Sequence, residues 1–150
     1  MNTDLMLRVA DAIEAHPRKF DMRSWYTSER FTPTPSTVPS LLEPDCGTAG
    51  CIGGWGMAIE HPGEPYEFEG FLPRVANLFG LSNYAADALF CSFEYGQHDE
   101  KDENAKNWWV ENGFLEFDEE TGDVNYSVSP EDAASALRQI VAGDLTLPEG

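Results

Sequence analysis

The side chains with the most direct claim to chemistry sit in one run, CGTAGCIGGW, where Cys46 and Cys51 stand among four glycines and precede Trp55. With Cys91 and either His61 or His98, these thiols make a nominal set of four zinc ligands. Structural zinc sites built on cysteine draw on two closely spaced pairs. Here the second pair is missing, so no metal is expected. Redox chemistry is a nearer possibility. Cys46 would sit just before a helix N-terminus, where the dipole lowers a thiol pKa. There is no Cys-x-x-Cys, and Cys51 and Cys91 fall on apolar faces, where buried and inert thiols are the rule.

Other catalytic patterns fare worse. The glycines are not followed by Gly-Lys-Ser/Thr, so they form no phosphate loop, and there is no Gly-x-Ser-x-Gly elbow. His16 and His61 each precede a proline, which marks them as helix-end punctuation. DEKDEN and DEETGD are rich in carboxylates but lack the spacing of a calcium loop, which leaves weak cation affinity at most. No catalytic residue and no cofactor are expected. The bland reading is that Cys46, Cys51, Gly54 and Trp55 form a structural motif, a tightly packed helix entrance.

The elements around that motif read as follows. Leu5, Met6, Val9 and Ile13 form one stripe of a helix over Thr3–Ala15, with Thr3 as cap and Pro17 as stop. Phe20, Met22 and Trp25 look like anchors of a short turn or helix. Residues 32–45 hold four prolines and read as a surface loop. A helix is predicted from a Thr48 cap to Glu60, with Cys51, Trp55, Ala58 and Ile59 on one side. Each glycine in it would cost an exposed helix about 1 kcal/mol against alanine. Such glycines imply close backbone approach to another helix, so a bulky residue at Gly54 should overpack. Further helices are expected over Phe71–Phe79, closed by Gly80, and from a Ser82 cap to about Phe93. The Gly-Leu-Ser join between them superficially resembles a helix-turn-helix, but the second helix has no basic residue for DNA. Residues 94–104 form an acidic loop, and a short helix carrying Trp108 and Trp109 ends at Gly113. Phe114–Asp118 and Asp123–Val128 flank EETG as a hairpin. Ser129-Pro130-Glu131-Asp132 opens the last helix, with Ala133, Leu137, Ile140 and Val141 inward and Gly143 at its end. The fold class expected is mainly α (α+β): a single compact helical domain over residues 1–150, with one β-hairpin near 114–128.

Charge is the loudest feature. The chain has 150 residues and a formal net charge of −18, with 27 acidic against nine basic side chains. Arg8, Arg18, Lys19, Arg23 and Arg30 balance the acids of the first thirty residues, so the whole excess follows them. Glu94–Asp132 alone holds 13 acids against Lys101 and Lys106. Self-repulsion on this scale opposes compaction. Solubility or a saline host, recognition of a basic protein, and cation binding compete to explain it. Clustered Lys and Arg are absent, which argues against direct nucleic-acid binding. At 41% hydrophobic and 12% aromatic the chain suits a globular core rather than disorder. Its short apolar runs argue against a membrane span, and the charges among its first residues against a signal peptide. With three cysteines, these features point to a reducing cytoplasm.

His16-Pro17-x-x-Phe20-Asp21-Met22-x-x-Trp25, followed by Cys46-Gly47-Thr48-x-x-Cys51-Ile52-x-Gly54-Trp55, resembles a recurrent family of small bacterial and phage proteins with no assigned activity. Ala76-x-Leu78-x-Gly80-Leu81-Ser82, Leu89-Phe90 and the Pro130…Ala133-Ala134 helix are similar in order. The resemblance covers roughly half the chain and leaves out Glu94–Asp123. It implies a shared fold and a phage or mobile-element context, and it transfers no catalytic residue. The function expected is that of a non-enzymatic acidic binding protein engaging a basic, nucleic-acid-handling host protein, as an inhibitor or nucleic-acid mimic. Its partner-binding candidates are Asp99, Glu100, Asp102, Glu103, Trp108, Trp109, Glu119 and Glu120. One of the adjacent tryptophans should be buried, since neighbouring helical positions face different ways. The alternative is a small thiol-dependent enzyme or redox protein using Cys46, with the acidity serving only solubility.

Overall fold

The computed structural model describes residues 1–20, 26–28, 38, 41, 48–65, 70–90, 108–109, 111–114 and 128–148. The first helix, α1 (Thr3–Ala15), buries Leu5, Met6, Val9, Ala10 and Ile13, the stripe its sequence prescribes. Its cap is Asn2 rather than Thr3. The Asn2 Oδ1 accepts from the Leu5 amide at 3.1 Å. Asn2 also closes a second helix end: its backbone N–H donates to the Phe79 carbonyl at 2.7 Å and its Nδ2 to the Leu78 carbonyl at 3.3 Å. One residue thus satisfies an orphan amide of α1 and orphan carbonyls of another helix, so tertiary geometry favours it over its neighbour.

After α1, Pro17–Lys19 make a 3-10 turn and Phe20 enters the core. Two short strands follow, β1 (Tyr26–Ser28) and β2 (Thr48–Gly50), paired antiparallel with Tyr26 opposite Gly50 and Ser28 opposite Thr48. Phe20 adds a parallel bridge to Gly50. This ladder corrects the reading of Thr48 as a helix cap, because residues 48–50 are extended strand. Helix α2 (Ile52–Glu60) starts only after Cys51, which is extended and whose Sγ accepts from the Gly54 amide at 3.4 Å.

Helix α2 is the hub. Every residue from Ile52 to Ala58 is buried, not one side only, and the helix packs against α1 and β2 as well as the two helices that follow it. A helix apolar all round belongs inside. Helix α3 (Phe71–Phe79) buries Phe71, Val75, Ala76 and Phe79, whereas Leu78 is only half-buried. Gly80 ends it in the left-handed conformation at φ 67°, with the Leu81 amide donating to the Ala76 carbonyl at 2.9 Å. Helix α4 (Asn83–Phe90) is capped by Ser82, whose Oγ accepts from the Ala85 amide at 3.1 Å.

The last helix, α5 (Pro130–Ala142), has the expected Ser129 cap on the Asp132 amide at 3.1 Å and the expected Gly143 closure. It buries Ala133, Ala134, Ala136, Leu137 and Ile140 and lies most extensively along α1; Val141 is half-buried. Three alanines on that face allow the two helices to approach closely. The architecture is therefore mainly helical. Of the hairpin expected near 114–128, residues 115–127 lie outside the described residues, as do most of the 32–45 loop and all of the 94–104 loop.

Candidate functional site

The motifs His16–Trp25 and Cys46–Trp55, with 20 residues of sequence between them, meet at Trp55. Its indole is fully buried, and its Nε1 donates to the Lys19 carbonyl at 3.1 Å. The His16 ring stacks on it, with centroids 6.0 Å apart and planes 15° from parallel. His16 is also the residue at which α1 ends, its amide donating to the Ala12 carbonyl at 2.9 Å. Lys19 reaches onward, its Nζ donating to the carbonyl of buried Leu41 at 2.9 Å. His16-Pro17 and Gly54-Trp55 are thus two halves of one joint between α1, the 3-10 turn and α2. Position in sequence suggested only punctuation for His16. Its stacking partner is non-local.

Cys51 is buried and its Sγ caps α2, which fits a structural role. Cys46 and Cys91 lie outside the described residues. The close approach implied by the glycines is measured at Gly56, which sequence reasoning did not single out. A β-carbon there would overlap Cε2 and Cζ of the buried Phe79 ring of α3. Gly54 is buried in the same helix and supplies the amide that Cys51 receives.

Of the partner-binding candidates, Asp99, Glu100, Asp102, Glu103, Glu119 and Glu120 lie outside the described residues. Trp108 and Trp109 do not, and both are buried, at 5% and 0% exposure, where only one was expected to be. Neither presents an exposed face to a partner. They meet edge to face with centroids 4.9 Å apart, and Phe114 adds a second such contact to Trp109 at 5.4 Å. The Trp108 Nε1 donates to the Thr146 carbonyl at 2.9 Å, so the pair also fastens the segment after α5. The expectation failed because helical phase separates two neighbours by about 100° but does not limit how wide a core can be. The consequence is positional. Buried Phe90, Trp108, Trp109 and Val128, with half-buried Phe114 packed against the core, bracket both acidic stretches in sequence.

Three of the described basic side chains, Arg8, Arg74 and Arg138, are engaged by the fold's own acids. Arg8 of α1 holds Asp4 at 3.1 Å and also Glu60 of α2. Arg138 of α5 grips Asp11 at 2.9 Å and both oxygens of Glu14 on α1. Arg74 of α3 pairs with Glu64 and donates to the Pro65 carbonyl at 3.0 Å. The hydrogen bond from Arg138 holds the Glu14 carboxyl below its ordinary range. Arginine's planar fork suits these multi-centre contacts better than lysine would. Among the described residues, no three His, Cys, Asp or Glu side chains come together in a group that could hold a metal ion. No described helix is long and apolar enough to cross a membrane. No protein family, curated protein or solved structure matches the chain.

Proposed function

We propose that this chain is a non-enzymatic acidic binding protein whose Glu94–Asp123 segment engages a basic surface on a protein that handles nucleic acid. The observation that carries the reading is the charge distribution: 27 acids against nine bases, with the excess entirely after residue 30. The internal pairing of Arg8, Arg74 and Arg138 supports it, because these cations are engaged by neighbouring carboxylates. A segment of closely spaced carboxylates competes for a phosphate-binding groove through electrostatic complementarity, which speeds encounter and weakens with salt. The motif resemblance implies a phage or mobile-element setting for such a protein. Host nucleic-acid-binding proteins, defence nucleases among them, are then the fitting targets.

The test is a capture experiment from host lysate, at low and moderate salt, with the wild type beside a variant carrying Asp99→Asn, Glu100→Gln, Asp102→Asn, Glu103→Gln, Glu119→Gln and Glu120→Gln. The substitutions remove six negative charges and keep side-chain shape. A basic partner should be captured by the wild type, lost by the variant, displaced by added DNA or RNA, and weakened as screening shortens to about 8 Å near physiological ionic strength. If both proteins return the same set, or neither returns any, the acidity serves solubility and the reading fails.

A further inference from the structure

We draw no further inference here: the strongest candidate, the Trp108–Trp109–Phe114 cluster in which the buried Trp109 indole N–H has no acceptor among the described residues, rests on a single donor, and nothing in the structure shows what would supply its acceptor.

Discussion

At the scale of single residues, Gly56 carries a sharp packing constraint. Alanine there would gain about 1 kcal/mol of helix propensity. It would also push a methyl group into the ring of Phe79, which is fully buried and held against Phe90 with centroids 4.6 Å apart. Overpacking of this kind costs about 1–3 kcal/mol, so Gly56→Ala should lower the urea midpoint. Combining it with Phe79→Leu makes room, and the double variant should be less destabilised than the sum of the single ones. Strict additivity would show that the close approach is not the cause. The tryptophan pair offers a second comparison. Replacing either by phenylalanine leaves a cavity of similar size, but among the described residues only Trp108 loses a hydrogen-bond partner. Removing a donor that has no described acceptor relieves a desolvation penalty of about 1–3 kcal/mol. Trp109→Phe should therefore be the milder change in paired denaturation curves, and the reverse order would overturn the assignment.

Between elements, the clasp of Arg138 on Asp11 and Glu14 joins the helices that share the largest interface. Both carboxylates and the guanidinium are substantially exposed, which limits what the clasp adds in stability. Its pH dependence is nonetheless distinctive. The Glu14 pKa is lowered in the folded chain, so its contribution is fully present above the ordinary carboxylate range and disappears as pH falls through the lowered value. Wild type should therefore exceed Glu14→Gln in midpoint at pH 7, and the gap should close as pH falls through the lowered Glu14 value. A gap that persists into acid would mean that glutamine disturbs packing rather than charge. Added salt should narrow the same gap at pH 7, because exposed pairs are screened.

For the molecule as a whole, repulsion within a net charge of −18 competes with a few exposed ion pairs. Each such pair contributes at most about 1 kcal/mol, whereas repulsion acts among all the unmatched acids. Raising sodium chloride from low to moderate concentration should therefore raise the melting temperature, and a fall would show that the ion pairs dominate. The six-fold neutralised variant should respond less steeply to salt than the wild type. Much of this molecule was legible one-dimensionally, because the deciding interactions are local. The stripe of α1, the Gly80 and Gly143 closures, and the Ser82 and Ser129 caps each depend on residues within a turn or two. The excess of acids over bases, and with it the argument against a phosphate-binding surface, also follows from composition alone. What the sequence could not determine depends on partners far along the chain. Thr48 is a good cap by type, yet pairing with Tyr26–Ser28 makes it strand and passes the cap to Cys51. Asn2 displaces Thr3 because the end of α3 lies beside it. Gly56 is constrained by the ring of Phe79 from another helix, and Trp108 and Trp109 are both buried because the core surrounds them from more than one side. Residue type sets what a position can do, and the long-range contacts brought together by folding select which of those options is used.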